Sequence, residues 1–202
     1  MSVERRLVLA SASPARLQLL RQAGLAPEVV VSGVDESTVT SPRVAELVAL
    51  LAAAKAQAVA RSESDALVIA ADSLLEFRGE AQGKPTDAAE ARARWQRMGG
   101  RSGTLHTGQA VLDVRGGRVV ARDVGVTSTV VHFASPSPAE VDAYLATGEP
   151  LAVAGAFTLD GLGAPFVRRV EGDPSAVIGL SLPLLRTQFL GLGLSITDLW
   201  RR

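Results

Sequence analysis

"RLVLASASPARLQLLRQAG", residues 6–24, passes from a strand to a helix with only a few small residues between them. Residues 6–10 form a short apolar run. Ser13 then stands at a helix N-cap and Pro14 at the first helical position. Leu17, Leu19 and Leu20 carry the helix on, and Gly24 stops it. This arrangement leaves the unpaired N–H groups of a helix N-terminus at the end of a strand. That end carries partial positive charge and binds anions. Ser11 and Ser13 add hydroxyls, and Arg16, on the first turn, adds a fork of donors suited to phosphate oxygens. A plain cap at Ser13 with a solvated Arg16 is the competing reading.

Outward from this stretch the alternation continues. Residues 28–32 (EVVVS) read as a second strand, and Ser41-Pro42 as the start of a long helix to Arg61. Residues 66–71 (ALVIAA) read as a third strand, apolar on both faces as buried parallel strands are. A hairpin at Arg78-Gly79 and a helix from Asp87 to Met98 follow. Strand, helix, strand, helix, strand predicts an α/β fold. Further on, residues 104–114 and 118–133 are β-branched runs joined at Gly116-Gly117, a hairpin signal. Residues 135–149 give a capped short helix, and residues 177–194 a last helical segment with Pro183 near a break. The expectation is a mixed, twisted sheet with flanking helices. It forms one domain over residues 1–202, with the hairpin region making a second lobe over a central cleft.

Composition removes whole classes of function. Apolar residues make up 47% and charged ones 21%, which excludes a disordered chain. Lys plus Arg equals Asp plus Glu at 21 each, so no overall basic field recruits nucleic acid or an anionic membrane. With no cysteine there is no disulfide framework, thiolate nucleophile or cysteine metal site. The apolar run near the N-terminus is too short for a signal peptide core. The apolar stretch 44–60 carries Glu46 and Lys55 and reads as a helix with a buried face. These features suit a soluble, cytoplasmic protein.

Familiar phosphate motifs fail on spacing. In "GEAQGKP" three residues separate Gly79 from Gly83 where a P-loop needs four, and Pro85 replaces the Ser or Thr that binds magnesium. No dinucleotide fingerprint and no serine-hydrolase elbow is present. His106 and His132 lie on different strands without metal spacing and read as partly exposed strand residues. Asp72 is the anomaly. It follows "LVIAA" at the predicted carboxyl end of a central strand, the edge that faces a ligand crevice in open α/β sheets. A carboxylate there is costly unless it pairs with a cation, binds metal or takes a proton. Asp35-Glu36 follows "VVVSGV" and reaches the same edge. Two strands bringing carboxylates to a phosphate site suit magnesium-assisted phosphoryl chemistry. Lys84, in "QGKP", and Lys55, in an otherwise apolar helix, are candidate partners for phosphate or carboxylate. Snorkelling to solvent is the alternative for Lys55.

Taken in order, "LASASPARLQLL", "VSGVDE", "AAAKAQAVA", "VIAADSLLEFRGEAQGKP", "MGGRSGTLHTG", "AGAFTLDGLGAPFV" and "EGDPSAVIGLSLPLL" resemble the Maf family of nucleoside triphosphate pyrophosphatases over nearly the whole chain. The resemblance implies a two-lobed α/β fold, often a homodimer. It also implies cleavage between the α- and β-phosphates with a divalent metal, Mg2+ or Mn2+. The family's proton acceptor falls on Asp72, its functional glutamate on Glu36, its helix lysine on Lys55 and its "GKP" lysine on Lys84. Glu36 and Asp72 are then the implied metal ligands, and Ser11, Ser13 and Arg16 the phosphate-binding loop. Three positions depart from common family patterns. Ala15 replaces the first arginine of "SPRR". Ser73 stands where pyrimidine-preferring members have Thr, and Asp160 where they have Gln. All three bear on base selection. A nucleotide-binding regulator of septum formation, with little turnover, is the alternative that the resemblance allows.

Overall fold

The computed structural model describes residues 5–201, in which seven strands form one sheet with helices on both faces. In chain order the elements are β1 (Leu7–Leu9), α1 (Pro14–Gln22), β2 (Glu28–Val29), α2 (Val44–Ala60), β3 (Ala66–Phe77), β4 (Glu80–Gln82) and α3 (Ala88–Met98). Next come β5 (Ser102–Arg115), β6 (Arg118–Phe133), α4 (Pro138–Ala146), β7 (Val167–Glu171), α5 (Pro174–Ile178) and α6 (Leu182–Gly191). The sheet order is β2-β1-β3-β5-β6-β7, with β4 added to the far end of β3. The β2-β1-β3 pairs are parallel and all the others antiparallel.

Local chemistry explains most boundaries. Ser13 accepts from Arg16 N at 3.4 Å and Pro14 opens α1, as the cap signal requires. Ser137 caps α4 in a full capping box with Glu140. Both two-residue hairpin turns have positive φ at each central residue: Arg78-Gly79 at 55° and 82°, Gly116-Gly117 at 54° and 72°. Helix α2 starts at Val44, two residues after Pro42. Ser41 does not cap it; its hydroxyl accepts from Arg43 N at 3.2 Å and donates to Glu46. The edge strand β2 ends at Val29 instead of residue 32, and Val31 beyond it is 63% exposed. In the last segment the break falls at Gly179–Ser181, and Pro183 sits in the first turn of α6, where its missing N–H costs nothing.

The largest difference from expectation is β3. Its apolar run ends at Ala71, but the strand continues to Phe77 because β5 pairs with it residue by residue from Ala66↔Val114 to Glu76↔Thr104. Asp72 is therefore in the middle of a strand, opposite Gly108, and not at its end. Over residues 66–71 both faces are buried. Leu67, Ile69 and Ala71 pack with α1 and α6 side chains, and Ala66, Val68 and Ala70 with those of α2. A third apolar cluster takes Leu75 and Phe77 together with Trp95, Phe133, Tyr144 and Phe157. Trp95, on α3, is buried. One sheet thus carries all three clusters, and the apolar packing of β3 breaks between them at Asp72–Leu74.

Candidate active site

The break in packing coincides with a break in pairing. On one edge of β3, β1 pairs as far as Ile69 and Ala10 N donates to Ile69 O at 2.8 Å; β4 pairs only from Leu75. Asp72 and Ser73 lie in the gap. The Ser11–Ser13 loop and the start of α1 border it at the β1 end, and the Gly83-Lys84 loop borders it at the β4 end.

Alternation along β3 sends these two neighbours to opposite faces. On the α2 face, Lys55 Nζ lies 2.5 Å from Asp72 Oδ1 and 2.6 Å from Glu36 Oε1. Asp72 and Lys55 are nearly enclosed, with side-chain exposures of 10% and 11%, while Glu36 is 55% exposed. Burial raises the Asp72 carboxyl above its ordinary value, and the ammonium of Lys55 and the guanidinium of Arg16 only partly offset this. Lys55 does not snorkel. It can reach both acids because α2 lies hard against the sheet: a Cβ on Gly108 would sit 2.1 Å from Val48 O.

On the other face, Arg16 spans three elements. Its Nε donates to Gly179 O at 2.7 Å, Nη1 to Ser11 Oγ at 3.0 Å and Nη2 to Ser73 Oγ at 3.3 Å. Ser73 bonds Thr107 at 2.9 Å, and Thr107 donates to Ala176 O at 2.8 Å. Burial pulls the Arg16 guanidinium down from its ordinary value, with Asp72 and Glu36 opposing. Arg16 is thus a half-buried cation whose hydrogen-bond partners among the described residues are all neutral.

The remaining predicted positions are more dispersed. Ser13 is half-buried, with its N–H donating to Ser11 Oγ at 3.2 Å, and Ala15 is half-buried on the first turn of α1. Asp35, beside Glu36, turns away to cap the 3-10 turn Glu36–Thr38 through Ser37. Lys84 is exposed, and the cluster around Lys55 does not include it. Its loop is held at Gly83 O, which accepts from Arg94 at 2.5 Å and Gly155 N at 3.1 Å. Asp160 is exposed at the tip of a turn braced by Glu149, which accepts from Leu162 N at 3.1 Å and Gly163 N at 3.2 Å.

Two residues near the gap escaped the sequence reading. Thr107 bonds Ser73. Glu76, on the same face of β3 as Asp72, bonds His106. The period-two pattern Asp72, Leu74, Glu76 was the available signal, hidden because the strand was read as ending at residue 71. His106, expected to be partly exposed, is buried: β6 closes over it and supplies Ser128 at 2.8 Å. His132 is partly exposed as expected. Among the described residues no group of three or more His, Asp or Glu side chains converges as a ready-made metal site, and no helix is long and apolar enough to cross a membrane.

A helix N-terminus with serines, a half-buried arginine and a lysine-bridged carboxylate pair thus meet at one gap in an α/β sheet, groups of the kind that can handle a phosphate. The chain belongs to the Maf family, whose Maf-like protein model matches residues 6–191. It is 60% identical to a nucleoside triphosphate pyrophosphatase of Streptomyces coelicolor, over 97% of this chain and 95% of the relative. It is 57% identical to one from Salinispora tropica, over 100% of this chain and 90% of the relative. With one from Nocardia farcinica the figures are 55% identity and 96% of both chains.

Proposed function

We propose that the chain is a hydrolase that cleaves nucleoside triphosphates between the α- and β-phosphates, releasing a nucleoside monophosphate and pyrophosphate. The observation that carries this reading is Lys55 bridging Glu36 and Asp72 across a gap from Arg16 and the start of α1. The names of the relatives, at 51–60% identity, support the same activity.

The chemistry follows from the geometry. The triphosphate lies in the gap, held by Ser11, Ser13, the positive N-terminal end of α1 and the guanidinium of Arg16. Water attacks the α-phosphorus. One P–O bond forms, the bond to the bridging oxygen breaks, and pyrophosphate leaves. Asp72, with its raised carboxyl, takes the proton from the water. Lys55 and Lys84 neutralise the charge that grows on the leaving group. A divalent cation, magnesium or manganese, fits the pair Glu36 and Asp72, since such ions use one or two carboxylates plus substrate phosphate oxygens. Bound there, it supplies charge neutralisation on the phosphates. Ala15, Ser73 and Asp160 bear on which base is accepted. The reading extends to a single catalytic domain acting as a cytoplasmic homodimer on small nucleotides, without nucleic acid or membrane.

The test is a panel of triphosphates with magnesium or manganese, with pyrophosphate separated from orthophosphate. Pyrophosphate and monophosphate are expected in equal amounts. Orthophosphate with a diphosphate would overturn the cleavage position. Tight binding without turnover would favour the regulatory alternative.

A further inference from the structure

Beyond Asp72 the same face of β3 presents Leu74 and then Glu76. In register, Leu74 stands opposite His106 on β5, and His106 opposite Ser128 on β6. His106 Nε2 lies 3.0 Å from Glu76 Oε2, and Nδ1 lies 2.8 Å from Ser128 Oγ. An ionised carboxylate can only accept, so the neutral imidazole carries its proton on Nε2 and accepts from the serine hydroxyl at Nδ1. Both ring nitrogens are then satisfied. His106 is 8% exposed, whereas the Glu76 side chain is 37% exposed, so the carboxylate is the working end of this chain of bonds. One oxygen is fixed by the histidine, and among the described residues Oε1 has no such tie.

The order of side chains along the strand is suggestive of a nucleotide. Asp72 sits at the phosphate end, Leu74 is a half-buried apolar platform, and Glu76 is an anchored acceptor. Strand rise puts Glu76 roughly 13 Å along the sheet from Asp72, about the span of one nucleoside. The loop carrying Lys84 runs beside the platform: a Cβ on Gly83 would be 3.5 Å from Leu74 Cδ2. We propose that Glu76, positioned by His106 and Ser128, reads the edge of the nucleobase above Leu74 and favours bases with an exocyclic amine. This rests on the triphosphate pyrophosphatase reading and names its substrate class. Adenine, cytosine and guanine offer N–H donors from an amino group, and guanine adds its ring N–H. Uracil and thymine flank their one N–H with two carbonyls that repel a carboxylate. His106 and Ser128 are positioning residues; they do not touch the nucleotide.

The experiment compares kcat/KM for ATP, GTP, CTP, UTP and dTTP in the wild type and in Glu76→Gln, His106→Ala, His106→Gln and Ser128→Ala. An amide both donates and accepts, so Glu76→Gln is expected to move the ratio of amino-bearing bases to UTP and dTTP by about tenfold toward the latter. The change is expected in KM, with kcat kept. His106→Ala shifts the ratio the same way, His106→Gln restores part of it, and Ser128→Ala gives a smaller shift. A merely structural role would lower Tm and all five substrates together. A wild type that prefers UTP or dTTP, or ratios that Glu76→Gln leaves unchanged at unchanged Tm, would overturn the proposal. Calorimetric binding of the same five nucleotides reads the same preference even if none is hydrolysed. Failure of the hydrolytic reading and failure of base reading are therefore separate results.

Discussion

Asp72 on β3 and Asp113 on the neighbouring β5 are both buried, at 7% and 2% exposure, yet their carboxyls move in opposite directions. Asp113 is clasped on both oxygens: Arg5 pairs with Oδ1, and Arg115 donates to Oδ2 at 2.8 and 3.1 Å. Burial pushes Asp113 up, but the two guanidinium bonds together pull it below its ordinary value. Asp72 has one ammonium on one oxygen, and shares it with Glu36. There burial wins. Depth alone does not set the charge state of a carboxylate; the donors committed to it do. Asp113 fastens the chain entering β1 to the end of the β5–β6 hairpin, with nothing left over for a ligand. Asp72 is under-compensated at the gap in the sheet, the pattern of a functional acid.

The sharpest way to break the comparison is to neutralise each acid in turn. Asp72→Asn is expected to cut turnover by about 10³-fold or more, in the range for loss of a positioned base. Its fold should persist. Because ionised Asp72 is held at a cost, the Tm of Asp72→Asn at neutral pH should equal or exceed that of the wild type. Asp113→Asn should leave kcat/KM nearly intact but lose about 2–3 kcal/mol of stability, since two arginines lose their buried partner. Denaturant titration checks this. Equal effects of both variants on turnover would end the distinction.

pH sharpens the same contrast with opposite signs. The folded-state pKa of Asp72 is raised, so its contribution lowers stability as pH rises from the ordinary value of 3.8 toward the folded value. If Asp72 is the base, the acidic limb of kcat also lies above 3.8, and a rate profile in several buffers reads it. Asp113 is depressed, so its stabilisation is present above 3.8 and is lost as pH falls through its folded value. In Asp113→Asn that acid loss should shrink, measured as Tm against pH.

Smaller effects concern ligand contacts. Arg16→Ala is expected to raise KM about tenfold while kcat changes less, because phosphate is gripped before the transition state. A fall in kcat alone would place its action in the transition state. The smallest shift is expected for Asp160→Gln. An ionised Asp160 accepts only, whereas an amide matches the acceptor–donor edge of uracil and thymine. The kcat/KM ratio should move toward UTP and dTTP by a fewfold. No change across the five nucleotides would mean that Asp160 faces solvent in the complex as well.

Local signals determined the chain's elements. The cap at Ser13-Pro14, the hairpin turns at Arg78-Gly79 and Gly116-Gly117, the two-sided apolar run 66–71 and the helix ending at Met98 act over a few residues, and each is found where it was read. The ordered motifs likewise pointed to Asp72, Glu36, Lys55 and Arg16, residue types costly to bury without a partner. Only tertiary structure decided how they meet. Asp72 is in mid-strand because β5 supplies pairing past the apolar run, a long-range bond pattern that side-chain periodicity does not encode. Lys55 reaches two acids because Gly108 lets a helix backbone press on the sheet, a contact between residues far apart in sequence. His106 became a buried link because β6 and β3 brought it Ser128 and Glu76, 22 and 30 residues away. Propensity and capping are local energies and show in the sequence. Partner choice for a buried polar group is a packing outcome, fixed only when the sheet is assembled.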